Sequence, residues 1–348
     1  MKKLINWVKD RQLTSFFVLT FLITWGLGFS YRAVMLQGKF LLVPLVFIAT
    51  CGPALVGIII TVIVGFTQKP AGNKRNAWIT FFAGWIVAIA VFLAHFIFIN
   101  RASLSLNLIL IVLVATIPVA FILNLIYTRF PVIRKFPVIL LRIRGNIWWI
   151  LLALILIPVL YIVSFPVSKL LGRSSGSFSA LPATGFALAG WIALKFLYQF
   201  FFFNGTGEEA GWRGFALPRL QLHVSPLIAA LILSLIWVPW HTFLWQAEGR
   251  PINTLSFWLL SYLIHIPAGI IICWIFNRSR GSILAAGIAH AAANTVMALI
   301  GNPDVYAFAV TLYVFVVIII FADRMWQKLP ESHPAVYQKT FLEVTNEN

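Results

Sequence analysis

Residues Val305–Ala322 read VYAFAVTLYVFVVIIIFA, without a charge, a glycine or a proline. As a helix rising ~1.5 Å per residue, this stretch covers most of the ~30 Å hydrocarbon core of a bilayer. Nine more apolar segments precede it: Leu13–Tyr31, Phe40–Phe66, Trp78–Asn100, Leu106–Tyr127, Ile147–Val167, Phe186–Gly207, Pro226–Trp245, Phe257–Phe276 and Ser282–Ile300. An apolar span must satisfy its own backbone polar groups, so each is expected to be a helix. The alternating pattern of a membrane β-barrel is absent. The expected fold class is therefore all-α: a polytopic membrane helix bundle of about ten transmembrane helices, with N- and C-termini inside. Composition agrees. The 348 residues are 61% hydrophobic and 10% charged, against about 25% charged in soluble domains. This excludes a disordered chain and an ordinary soluble enzyme. Two cysteines, Cys51 and Cys273, both in apolar runs, exclude a disulfide scaffold and read as core thiols.

The formal net charge is +17, and its placement explains it. With the N-terminus inside, nineteen of the 26 Lys and Arg fall in inner segments, six in outer loops, and Lys195 within a span. That is the positive-inside pattern. The basic excess is a topology signal, and nucleic acid is not expected as a partner. Arg129–Asn146 (RFPVIRKFPVILLRIRGN) mixes five cations with apolar residues. It is expected along the inner leaflet against anionic lipids, an ordinary basic loop being the alternative. Gly172–Gly185, rich in Ser and Gly, reads as an outer loop. The first span is about as long as a transmembrane helix and no small-residue cleavage site follows it, so it is not a cleavable signal peptide. The chain divides into N-terminal transmembrane helices with the basic segment (1–146), a helical unit carrying the chemistry (147–322) and a polar, flexible cytoplasmic tail (323–348). The expected location is the cell membrane, multi-pass.

Ionisable groups inside spans are costly and mark function. Among only nine acids, Glu208 and Glu209 are adjacent in LYQFFFFNGTGEEAGWRGFALPRL, Leu197–Leu220. On a helix Glu209 and Arg213 are i and i+4 with the acid first, the favourable order for an ion pair. Glu208 then lies ~100° around and is free to face another partner. Gly207 and Gly211 permit close approach of a second helix. His241 ends SLIWVPWH, where Pro239 is expected to kink the seventh span. His290 and Asn294 share a face in AAGIAHAAANT. Counted from the inner ends, His290 is ~14 Å deep, Asn294 ~20 Å, His241 ~22 Å and Glu208 ~16 Å. The sixth span poses a conflict: counted from Phe186, a ~30 Å helix ends near Thr206, which puts Glu208 at an edge. A tilt, a later start or a break at Gly205–Gly207 reconciles the counts. His265, ~12 Å from the outer end of its span, can reach the same cavity. His95 reads as an interhelical hydrogen bonder, and His223 and His333 as interfacial or solvated.

A carboxylate and a histidine can deprotonate a water, and a histidine and an asparagine can donate to a developing oxyanion. That is equipment for amide hydrolysis. Glu208, His241 and His290 are equally a possible zinc set with an open position, although HExxH is missing. No phosphate loop or serine-nucleophile motif is present.

At these residues the chain resembles the CPBP family of intramembrane proteases, also called the CAAX-protease and bacteriocin-processing or Abi family, whose eukaryotic relative is the type II CAAX prenyl endopeptidase. The family pattern is EExxxR, then FxxxH, then HxxxN or HxxxD. Glu208–Arg213 (EEAGWR) fits the first, and His290 to Asn294 (HAAAN) the third. The second departs, with Trp237 where Phe is usual. The resemblance covers residues 186–300. It implies a glutamate-dependent endopeptidase acting on a membrane-associated protein or peptide. Glu208 and His241 would activate water, His290 and Asn294 would hold the oxyanion, and Glu209 and Arg213 would lend structural support. Family members are often labelled metalloproteases, yet this chemistry requires no cofactor, zinc remaining the alternative. A secondary transporter would favour two related halves with matching broken helices, whereas the chemistry here lies in the second half. A non-catalytic scaffold or immunity protein would not need the intact glutamate, histidines and asparagine.

The charge asymmetry predicts sidedness. With single cysteines at Ser175 and Asn146 in a cysteine-free background, an impermeant thiol reagent applied outside should label position 175 and spare 146. The reverse pattern overturns this topology.

Overall fold

The structure, a computed structural model, describes residues 2–28, 48–64, 74–117, 120, 143–174, 184–202, 204–301 and 303–337. Among the described residues every regular element is helical. In chain order these are α1 (Lys2–Asp10), α2 (Gln12–Gly28), α3 (Gly52–Val64), α4 (Lys74–Ala94, continued by a π-helical turn His95–Ile99), α5 (Leu106–Ala115) and α6 (Ile147–Leu170). Next come α7 (Gly185–Phe202), an irregular helical segment over 204–220, α8 (Pro226–Trp240), α9 (Thr242–Ala247), α10 (Leu255–Arg278), α11 (Ile283–Leu299) and α12 (Val305–Ala322). Six helical stretches are long and apolar enough to cross a bilayer: Phe81–Ile99, Ile147–Leu170, Gly185–Phe202, Pro226–Gln246, Leu255–Arg278 and Val305–Ala322. Gln12–Gly28, Gly52–Val64, Leu106–Ala115 and Ile283–Leu299 are shorter apolar helices.

Polar caps set where the C-terminal spans begin. Asn146, Ser225, Thr254, Ser282 and Asp304 each accept a hydrogen bond from a backbone N–H in the first turn of α6, α8, α10, α11 and α12, satisfying donors that a helix start leaves open. The spans then pack as α6 along α11 and α12, and α8 along α10. Segments sorted inward by charge meet at one end of this bundle. There Arg219 donates to Gln12 (2.9 Å), the Gln221 and Asn277 side chains bond each other, and the Arg278 cation lies over the Trp149 ring. At the other ends of α6 and α12, Arg173 pairs with Asp304. Most of Arg129–Asn146 and of Gly172–Gly185 lies outside the described residues.

One expectation changes, and one open alternative is decided. The tail is not free over 324–337: Leu227 N–H donates to the Met325 carbonyl, Tyr337 N–H to that of Pro218, and Gln221 Nε2 to that of Ala335 (2.9 Å). Ala335 and Val336 are buried. The chain turning at this end of the bundle exposes polar groups that need partners, and the returning tail supplies them. Residues 338–348 lie outside the described set. The sixth span, in turn, is broken. After Phe202 the chain runs through a π-helical turn Asn204–Glu208, one turn Glu209–Gly211, a second π-helical turn Trp212–Ala216 and a last turn Leu217–Leu220. At Gly205 a Cβ would sit 2.7 Å from the Phe200 carbonyl oxygen, so the turn back on α7 needs glycine.

The first helices pack against this segment. Phe16 of α2 stacks on Phe215 and meets Trp212 edge-on. Trp240 Nε1 donates to Thr24 (3.0 Å). A second, smaller core joins α4, α5 and α7 through Phe92, Val112, Tyr198 and Phe202. His95 lies there stacked on Tyr198, ring centroids 3.7 Å apart. Its Nδ1 has no hydrogen-bond partner among the described residues, so it packs as an aromatic ring instead of bonding through that atom.

Gly211 is where α3 comes closest. A Cβ there would lie 2.3 Å from the Pro53 carbonyl carbon and 2.4 Å from its oxygen, backbone atoms that no rotamer can move aside. Gly211→Ala should therefore cost about 1–3 kcal/mol and lower the thermal unfolding temperature in detergent. Gly26→Ala, with nothing within 4 Å of the added carbon, should not.

Candidate active site

The irregular segment brings two adjacent carboxylates inward on different sides. It is enclosed by α3, α7 and α11, so both acids are buried. Glu209 turns to Arg213, whose Nη1 donates to Oε1 at 2.8 Å. The same oxygen accepts His290 Nδ1–H at 2.8 Å, since an ionised carboxylate only accepts. Glu208 turns the other way. Its Oε2 accepts the Trp237 indole N–H at 2.8 Å and lies 4.0 Å from His241 Nε2. The expected i,i+4 ion pair is thus present, and Glu208 faces a histidine.

α8 presents Trp237 and His241 one turn apart. His241 closes the helix: α8 ends at Trp240, beside Pro239, and α9 starts at Thr242. His241 Nδ1 is 2.9 Å from the Trp237 carbonyl. A carbonyl oxygen can only accept, so Nδ1 carries the proton and Nε2, facing Glu208, keeps its lone pair. His265 on α10 repeats the device, with Nδ1 2.7 Å from the Ser261 carbonyl. Its ring centroid is 5.6 Å from that of His241. Asn294 sits one turn beyond His290 on α11, half-buried.

The sequence-derived residues Glu208, His241 and His290 therefore meet around one indole. The Trp237 ring centroid is 5.1 Å from that of His241 and 5.2 Å from that of His290. Two contributors were not legible as such. Trp237 stood out only as a departure from the usual Phe, and nothing in spacing shows that its N–H would reach Glu208. Trp245, stacked on His241 with centroids 5.0 Å apart, carried no signal at all. Among the described residues no three His, Cys, Asp or Glu side chains are placed to hold a metal ion. In this arrangement His290 Nδ1 is engaged by Glu209, and the Glu208 oxygen nearest His241 already accepts from Trp237.

Two comparisons bear on this geometry. Residues 189–296 match the family described as type II CAAX prenyl endopeptidase Rce1-like. The stretch includes Glu208, Glu209, Arg213, Trp237, His241, His290 and Asn294. The CAAX prenyl protease 2 of Methanococcus maripaludis is 28% identical over 189 residues, covering 52% of this chain and 68% of that protein. With its apolar helices, the chain is a multi-pass membrane peptidase, and the part of it that carries the site is similar to the Rce1-like, or CPBP, family.

Proposed function

We propose that this chain is an endopeptidase that cleaves a membrane-associated protein or peptide by direct attack of a water activated by Glu208 and His241. The observation that carries this is the 4.0 Å approach of His241 Nε2 to Glu208 Oε2. A water at ~2.8 Å from both atoms would subtend about 90° between them, an angle that lets it donate to each. The water oxygen attacks the scissile carbonyl carbon while its proton passes to the Glu208–His241 pair. His290 and Asn294 donate to the carbonyl oxygen as it becomes negative. Because His290 Nδ1–H is committed to Glu209, Nε2 donates only from the imidazolium form, which is paired with the Glu209 carboxylate. Collapse of the tetrahedral intermediate breaks the C–N bond, and the pair returns its proton to the leaving amine.

The relative is named for CAAX prenyl substrates. The assay therefore sets prenylated against unprenylated peptides of one sequence, in vesicles containing anionic lipid, the setting proposed for the basic inner face. Cleavage is read by mass spectrometry. Glu208→Gln and His241→Ala should show no turnover, and Asn294→Ala should lose about 10²–10³-fold. Full activity in Glu208→Gln would sink the mechanism. Glu209→Gln should act partly through folding, since it leaves Arg213 buried without its counter-charge at a cost of about 3–5 kcal/mol, seen as a lower unfolding temperature.

The proposed step uses no metal, because a carboxylate and an imidazole suffice to activate water. Activity is expected to survive strong chelators. One equivalent of zinc, lost with activity on chelation and restored with it, reverses this.

A further inference from the structure

The indole of Trp237 is 4% exposed and lies at the meeting point of the site. Its Nε1–H donates to Glu208 Oε2 at 2.8 Å, and its own carbonyl accepts His241 Nδ1–H at 2.9 Å. One residue is thus bonded to both members of the pair that would share the water. We infer that Trp237 is a positioning residue for hydrolysis, acting through its hydrogen bond to Glu208. The inference rests on the role proposed above for that carboxylate.

Two physical effects follow from the bond. The first is orientation. The ring is held by His241, His265 and His290, with centroids 5.1, 5.5 and 5.2 Å away. The Arg213 guanidinium lies 5.2 Å from the ring centroid. An indole so enclosed cannot swing, so its N–H fixes the plane of the carboxylate and the direction in which a water is held. Small misplacements of a reacting group are expensive in rate. The second is charge. The indole N–H is a buried, charge-assisted donor to the carboxylate that is to take the proton, and Trp237→Phe removes that donor. Phe, usual at this position in the family, keeps an aromatic ring but cannot donate.

Other groups around Glu208 set the background. Cys51, just ahead of α3, interacts electrostatically with it. So does Arg213 in its own segment, where Glu209 is its chain neighbour. His241 approaches from α8. His265 and His290 pack against the indole from α10 and α11. On α7, Tyr198 and Lys195 face His95 instead. Trp237→Phe changes none of these groups.

The test uses the full chain in vesicles and compares wild type, Trp237→Phe and Glu208→Gln on one peptide. Trp237→Phe should lower kcat about tenfold with KM within about twofold, and should shift the acidic limb of the pH–rate profile up by about one unit. A purely structural tryptophan would move KM or the unfolding temperature and leave the acidic limb in place. Where Trp237→Phe does not fold, benzothienylalanine at 237 keeps the bicyclic ring and removes only the N–H, and the same shift is expected. Wild-type kcat and an unmoved acidic limb, with Glu208→Gln inactive, overturn the positioning role and leave the base role standing. An active Glu208→Gln overturns both.

Discussion

Glu209 and Arg213 form a 2.8 Å ion pair from which water is almost wholly excluded, with exposures of 0% and 1%. A charge in such a place is tolerated only if it is paired and hydrogen-bonded. The pair meets that condition locally, one helical turn apart, and then extends it: His290 donates to the same carboxylate oxygen. This second bond ties α11 to the irregular segment and fixes which face of α11 looks inward. The placement of Asn294, one turn along that face, follows from it.

The segment that carries the pair is a poor helix, and that has consequences for everything around it. In hydrocarbon a backbone that departs from regular helical bonding survives only where protein encloses it. Two π-helical turns within 204–216 make such a departure, and π-bulges recur at functional sites. The enclosure comes from α3, α7 and α11, with α2 closing the side at Phe16, Trp212 and Phe215. α2 and α3, within the first 64 residues, are therefore part of the wall of the site. Gly211 and Gly205 are the points where that wall touches backbone to backbone.

Because the two acids leave the segment in different directions, they meet different partners. Glu209 Oε1 is engaged by Arg213 and His290. Glu208 meets an indole N–H and, 4.0 Å away, an imidazole nitrogen whose tautomer is set by the Trp237 carbonyl. His265 brings a third imidazole with the same backbone anchoring to the cluster. Aromatic rings fill the space between these groups, so the polar atoms are held by packing as well as by hydrogen bonds.

Composition and periodicity alone established an all-helical membrane chain, because a run such as Val305–Ala322 has no other way to satisfy its backbone in lipid. The spacing of Glu209 and Arg213 likewise specified their pairing, since i,i+4 neighbours meet on any helix. The motif residues Glu208, His241 and His290 were legible as polar groups out of place. What the sequence left open was how the sixth span reconciles its length with the depth of Glu208. Tertiary structure decided that by breaking the helix, since packing against Pro53 and α11 outweighs regular hydrogen bonding there. It also decided that the tail folds back over 324–337 and that the indole of Trp237 reaches Glu208. Such contacts join residues tens to hundreds of positions apart, so they depend on the relative placement of helices, which no local pattern encodes.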